Sequence, residues 1–503
     1  MDMFYGVEWA DWGYQILLIF CTQFMGFGFA GIMRKFAVYP TRALWPSILP
    51  TLALNKALLQ TSFLYFWLPN YLFEALSYFN WMTWKSPNNA TLAVVTGSIG
   101  GLALNPLTTF DWNIIDFNGA LTIPFFSQVN QYTGSILAFF CILGLWYSNY
   151  KWTGYLPINS NSLFTNTGEV YSVSSILNSD NLIDQAKYES YSPPFYTAAN
   201  MVVYGAFFAI YPFTILYMGL THWTHNKFAI GGLYSAIRNF KRSTYEGYHD
   251  AYSKSMRKYK EVPEWCFFIV LVISIVFAIL PWDTISMGKL RITSQIRKWL
   301  TTCFISLAVI NFNITNIKDY CDPNQSQRFT CPSARTFYSA SVIWGVIGPE
   351  RVFSHLYPIL KWCFLIGFLL APLMFLIKKY FSKYQAVRYF EPVLVIGGFL
   401  IYAPYNLSYF TPGVIASFFF MHVIRNRYIN WFKKYVFLLS GSLNAGLAFS
   451  SIIIFFAVQY NEKYIDWWGN NVPYAGLDAS SFSNLDASTA PDGYFDPRKG
   501  NYP

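Results

Sequence analysis

Inside the apolar stretch from Thr61 to Trp84 stands a single acid, Glu74, with Asn70 and Tyr71 one helical turn before it. A carboxyl group in hydrocarbon titrates near neutrality, so an acid at that depth can load and release a proton. Amide and phenol groups beside it can hydrogen-bond a small polar substrate. A second apolar stretch, Ala90 to Pro106, is interrupted at Gly100-Gly101 and at Asn105-Pro106, with Asp111 just beyond. Proline removes a backbone donor, and broken helices use freed backbone groups to hold ligands or ions near the membrane midplane. Glu74, Asn70, Tyr71, Asn105, Pro106 and Asp111, with Gln23 from an earlier stretch, are therefore the candidates for substrate and proton binding. Each has a plainer use as well. Glu74 can be satisfied by a neighbouring Tyr or Asn, and Asp111, like Glu350 and Glu391, can be a cap or interface charge. Gln23 can join helices, and a proline can simply kink one. The aromatic run from Tyr65 to Trp84 can line a pathway, yet an interfacial belt explains most of it.

The elements that must position these residues are membrane helices. Only 12% of the 503 residues are charged and 54% are hydrophobic, whereas a soluble domain carries about a quarter charged residues. The apolar runs reach the ~20 residues that cross a ~30 Å hydrocarbon layer. The ~10-residue alternating segments of a transmembrane barrel are absent. Helices alone then satisfy their own backbone in lipid, and the runs amount to about ten to twelve membrane segments. The expected fold is an all-α polytopic membrane protein, a multi-helix transporter bundle with broken and half helices.

The net charge of +10 sits between the apolar runs. It reads as a set of topology signals and lipid-headgroup contacts, not as a nucleic-acid face. The start, Met1 to Asp11, is acidic and lacks a signal peptide's basic end. Seven cysteines follow no zinc spacing, so no metal is expected. Cys21, Cys141, Cys266, Cys303 and Cys363 fall inside apolar runs as packed thiols. Cys321 and Cys331 instead share a polar loop with the sequon Asn324-Gln325-Ser326, and a disulfide and a glycan acceptor both suit an external face.

These signals divide the chain into one transmembrane domain over 1–460 and an acidic, aromatic tail over 461–503, expected to be external or loosely ordered. Within the domain, 149–195 reads as an external loop, 222–264 as a basic cytoplasmic loop and 317–336 as an external loop. The charge count does not close. A span leaving a cytoplasmic 222–264 puts the basic linker Asp283 to Lys298 outside and the Cys321/Cys331 loop inside, one crossing out of register. Either a weak segment re-enters, or a helix is missing.

Seven ordered stretches resemble the oligopeptide transporters of fungi and plants. They are Tyr5 to Pro40, Phe66 to Trp84 (FWLPNYLFEALSYFNWMTW), Gly101 to Asn113 (GLALNPLTTFDWN), Gly154 to Tyr171 (GYLPINSNSLFTNTGEVY), Tyr191 to Tyr196 (YSPPFY), Arg257 to Trp265 (RKYKEVPEW) and Phe329 to Phe353. Two signatures of that family are lacking: an Asn-Pro-Gly block ahead of the first resembling helix, and a Lys-Ile-Pro-Pro-Arg block expected between Trp282 and Arg297. The second gap falls where the charge count loses a crossing. The resemblance implies uptake of small peptides driven by a proton gradient, with no cofactor and no enzymatic step, at the plasma membrane. The alternative is a transport-inactive, shortened paralogue. A membrane transferase would need a catalytic His or an acidic pair, and the five histidines are scattered at span ends and loops.

Overall fold

The computed structural model describes residues 12–37, 56–178, 182–221, 264–279, 309–317 without Asn311, 331–495 without 462, 481 and 491, and a few single residues besides. Among these residues five helices are long and apolar enough to cross a membrane: Phe125–Tyr147, Ala198–Thr221, Ile359–Tyr380, Leu407–Arg427 and Ile429–Gln459. Leu18–Gly31, Trp265–Ile275 and Pro392–Ile401 are shorter apolar helices. The outward faces confirm the solvent these helices require. Ile215 is 75% exposed, Phe140 61% and Leu369 58%, a pattern that fits hydrocarbon and not water. The chain is thus an all-α, multi-pass membrane protein.

The chain packs as two units. The first comprises Met1–Trp45 and His222–Phe329. In it the helices Trp12–Ala37 and Glu264–Ile279 lie side by side, with Gly28 against Leu271 and Gly31 against Phe267. The second comprises Pro46–Thr221 and Thr330–Pro503. Three helix pairs dominate it: Ala198–Thr221 with Ile359–Tyr380, Lys56–Trp67 with Ile429–Ile454, and Phe125–Tyr147 with Pro392–Gly398. Lipid supplies no hydrophobic drive between helices, so close backbone approach at small residues must do so. Gly367 faces the Ala209 carbonyl, Gly446 faces Ser62, and Gly134 faces the Val395 carbonyl. A side chain on Gly134 would overlap that carbonyl. Gly134→Val is therefore expected to lower the detergent-solubilised melting temperature clearly, since overpacking costs about 1–3 kcal/mol. Gly144→Val on the same helix, with open space at its Cβ, should leave melting unchanged, and equal melting of the two variants would refute the contact.

Two regions that read as polar and peripheral are packed. Within 149–195, Leu156, Leu163, Phe164, Val173, Ile176 and Phe195 form one core with Val342, Ile347, Val352 and Leu356. Polar side chains there also serve the interior: the Asn161 amide donates to the Pro332 carbonyl and to Thr336 Oγ1, both at 2.9 Å. Nor are the described residues of the tail loose. Phe495 is buried, stacks on Tyr155 and meets Phe195 edge-on, and Phe482 meets Trp146. The 222–264 segment, apart from a few residues, and most of 317–330 lie outside the described residues.

Candidate substrate and proton site

The helix Lys56–Trp67 stops where Pro69 follows it. The chain widens into a π turn, Leu68–Leu72, closed by the Phe73 N–H donating to the Leu68 carbonyl at 2.8 Å. A short 3-10 turn, Glu74–Leu76, follows. The chain then pairs with the segment leading to Asp111: the Phe110 N–H donates to the Leu76 carbonyl and the Phe79 N–H to the Thr108 carbonyl, both at 2.8 Å. One break is thus laid against the connection that leaves the other.

Asp111 joins them. It is only 2% exposed, and its Oδ1 caps the turn Trp112–Ile115 by accepting the Asn113 N–H at 3.0 Å. Its Oδ2 accepts from Ser77 Oγ at 3.1 Å and Asn70 Nδ2 at 3.3 Å. Ser77 Oγ also lies 2.9 Å from the Pro69 carbonyl, so one hydroxyl proton serves two acceptors. Asn70 reaches the Phe66 carbonyl as well, at 3.3 Å. Among the described residues no Lys, Arg or His is paired with Asp111. Phenols surround it: Tyr65 donates to the Phe110 carbonyl, and Tyr78 and Tyr409 stand close to it and to each other. A buried carboxylate with neutral donors and no countercharge has a protonation state that its surroundings can change.

The second break is irregular backbone, buried at Ser98, at Gly101 to Ala103 and at Asn105. After the helix Ala90–Thr96 the chain folds back on it, with the Leu102 N–H on the Val94 carbonyl (2.9 Å) and the Leu104 N–H on the Val95 carbonyl (2.8 Å). Such backbone needs protein partners, since lipid offers none. Asn406, itself fully buried, donates from its amide to the Ser98 carbonyl at 2.9 Å and the Gly101 carbonyl at 3.0 Å. Its Oδ1 accepts the Ser408 N–H at 3.1 Å, capping the turn Leu407–Tyr409. Asn159 does the same at Ala403-Pro404: it accepts the Ala403 N–H at 2.9 Å and donates to the Pro404 and Tyr405 carbonyls at 3.2 and 3.0 Å. The N–H groups of the glycine loop turn instead to Asp478 in the tail. Burial pushes the Asp478 carboxyl upward, and the Gly100 N–H, the Asn80 amide and the Ile99 and Gly101 N–H groups oppose that.

The sequence candidates separate in space. Asn70 and Asp111 meet directly. Asn105, 2% exposed, joins the same layer by donating to the Phe79 carbonyl at 3.4 Å and accepting the Leu107 N–H at 3.1 Å, while Pro106 beside it is exposed. Glu74 does not lie within a continuous helix. The helix ends at Trp67, and Glu74 is a half-buried residue opening the 3-10 turn, its N–H held by Asn470 Oδ1 at 2.9 Å. The Tyr71 hydroxyl donates to the Lys463 carbonyl at 2.8 Å, which ties it to the tail. Gln23 is exposed on its helix in the first unit. Cys321 and Cys331 are both disulfide-bonded, whereas Cys21, Cys141, Cys266 and Cys363 are free thiols. Asn324 lies outside the described residues. Ser77, Asn159, Asn406 and Asp478 are the site residues that sequence reasoning passed over.

Long apolar helices, irregular buried connections and a carboxylate with no cation paired to it among the described residues together fit a multi-pass protein of the transporter class. The family model described as "OPT oligopeptide transporter protein" matches residues 1–288 and 292–458, and the chain belongs to that family. It is 38% identical to Oligopeptide transporter 2 of Saccharomyces cerevisiae, over 98% of this chain and 69% of the relative. Glutathione transporter 1 of Schizosaccharomyces pombe is 29% identical over 92% of this chain and 67% of the relative. Oligopeptide transporter 7 of Arabidopsis thaliana is 26% identical, covering 91% and 73%. No solved structure matches. The first of these alignments runs over 608 positions, more than the 503 residues of this chain, so that relative carries internal sequence which this chain lacks. The family match is interrupted between 288 and 292, inside the Trp282 to Arg297 linker where the resemblance places a missing block.

Proposed function

We propose that this chain carries small peptides across the plasma membrane together with protons, and that Asp111 is the group that takes up the proton. The observation behind this reading is the shared Ser77 hydroxyl. With Asp111 ionised, Ser77 turns its proton to Oδ2. With Asp111 protonated, its own O–H can donate to Ser77, which releases the Ser77 proton to the Pro69 carbonyl. Protonation thereby changes the hydrogen bonding of the break at Leu68–Leu72. Membership of the family and the names of the peptide and glutathione transporters among its relatives supply the cargo. Asn70, half-buried beside Asp111, offers an amide to a peptide backbone close by.

Expression in a host without peptide transporters tests the reading. Uptake of a labelled tetrapeptide that rises as external pH falls, and collapses with a protonophore, is the expected result. Correct surface delivery without uptake of any tetra- or pentapeptide would overturn it in favour of a transport-inactive chain.

A further inference from the structure

Four consecutive N–H groups, Ser98 to Gly101, follow the end of the helix Ala90–Thr96 and converge on one carboxylate. The Ser98 N–H donates to Asp478 Oδ2 at 3.0 Å, the Gly100 N–H to Oδ1 at 3.1 Å and the Gly101 N–H to Oδ1 at 3.3 Å. The Ile99 N–H is shared between the two oxygens at 3.3 and 3.4 Å, and Asn80 Nδ2 donates to Oδ2 at 2.6 Å. Successive N–H groups in such a turn make an anion-binding concavity. Glycine is required here, since a Cβ on Gly97 would strike the Asp478 carboxylate and one on Gly100 would meet the Asp478 carbonyl at 2.7 Å.

The carboxylate that fills this nest comes from a residue 398 positions away from Asn80, and it engages every donor but leaves two acceptors on the same residues unmet. Asn80 Oδ1 and Ser98 Oγ are buried, on residues 1% and 2% exposed, and have no hydrogen-bond partner among the described residues. An aspartate side chain offers oxygens only and cannot satisfy an idle acceptor. The end of a peptide can, because its carboxylate is accompanied by a backbone N–H. A buried acceptor left unmade is costly, so the nest is more fully matched by a peptide terminus than by its present occupant.

We infer that the loop Gly97 to Gly101 with Asn80 is a site for the C-terminal carboxylate of a peptide, and that Asp478 of the tail holds it closed as an internal competitor. This deepens the peptide-transport reading and rests on it. The tail follows the same path as a strap. The Trp467 indole donates to the Leu72 carbonyl at 3.0 Å, Asn470 Nδ2 to the Tyr71 carbonyl at 3.1 Å, and the Leu477 N–H to the Pro87 carbonyl at 2.9 Å. Tyr474 meets Tyr78, which carries the contact to Tyr409 beside the Asp111 site.

The test is melting of the purified full-length protein in lipid nanodiscs, read by tryptophan fluorescence. The probes are sodium acetate and one tetrapeptide prepared as the free acid and as the C-terminal amide. Asp478→Ala is expected to melt below wild type, to regain several degrees with acetate, and to regain more with the free-acid peptide than with the amide. Asp478→Asn, which keeps the volume and fills the nest with a carboxamide, serves if the alanine variant does not survive purification: the free acid should stabilise it and the amide should not. No recovery with acetate or the free acid, or equal recovery with the amide, would overturn the assignment and leave Asp478 as a structural clasp. Because melting needs no transport, rescue in a chain that carries nothing would separate the nest from the transport claim. Uptake without rescue would refute the nest alone.

Discussion

Asp111→Asn is expected to abolish pH-driven accumulation of peptide while leaving exchange of peptide across the membrane intact. The fold should tolerate it. The new carboxamide keeps an oxygen for the Asn113 N–H, and its NH2 can donate to Ser77, which then donates to the Pro69 carbonyl. Only the approach of Asn70 Nδ2 is left donor against donor, and Asn70 retains the Phe66 carbonyl. One lost hydrogen bond of this sort costs about 1 kcal/mol. The variant thus imitates the protonated acid and cannot leave that state. Net uptake from a pH gradient should fall by tenfold or more, whereas counterflow between peptide-loaded vesicles and labelled peptide outside should stay within about twofold, a difference under 0.5 kcal/mol. Loss of both activities in a normally melting protein would show that the carboxylate serves binding and not coupling. Retention of both would remove Asp111 from the mechanism.

Asn406→Leu should do more damage, and to the fold itself. The substitution keeps approximate volume but withdraws two donors from the Ser98 and Gly101 carbonyls and the acceptor from the Ser408 N–H. Each buried group left without a partner costs about 1–3 kcal/mol. The sum is comparable with the ~5–15 kcal/mol that separates a folded from an unfolded domain. The variant is expected to fail to accumulate in the membrane at 30 °C, as followed by fluorescence-detected gel filtration. Asn406→Asp, which keeps the cap on Ser408 but turns a carboxylate oxygen onto the two carbonyls, should be no better tolerated than leucine. Wild-type abundance and melting for Asn406→Leu would mean that the glycine loop does not depend on this side chain.

The features that sequence reveals here are local ones. Hydropathy finds the long helices because each is a continuous run that must match the hydrocarbon thickness. Pro69 and Asn105-Pro106 mark real interruptions because proline acts on its own turn. Asp111 read as a cap near a span end, and it caps Trp112–Ile115. Glu74 read as the buried acid because the apolar pattern continues past Pro69, although the helix does not; the breaking residue ends the element that the pattern extends. The partners of the breaks were not legible, since Asn159, Asn406 and Asp478 lie hundreds of residues from the backbone they complete or in loops whose polarity suggested water. One signal was present in the chain all along. An asparagine stands within two residues of a proline at each of four interruptions: Pro69-Asn70, Asn105-Pro106, Pro157-Ile158-Asn159 and Pro404-Tyr405-Asn406. In each case the amide repairs or bridges backbone at a break in regular structure.

The distance between Asn80 and Asp478 also sets a clock. Ribosomes add about 5–20 residues per second, so the glycine loop, which begins at Ser98, waits roughly 20–80 s between its own synthesis and the arrival of the carboxylate 380 positions later. Throughout that interval four N–H groups and the Asn80 amide have no anion to hold, in a chain whose neighbouring helices are already inserted. Cuts placed between Tyr460 and Asp478 would hold it there permanently, whereas a tag after Pro503, beyond the buried Phe495, would not, so the yield of protein should differ sharply between the two.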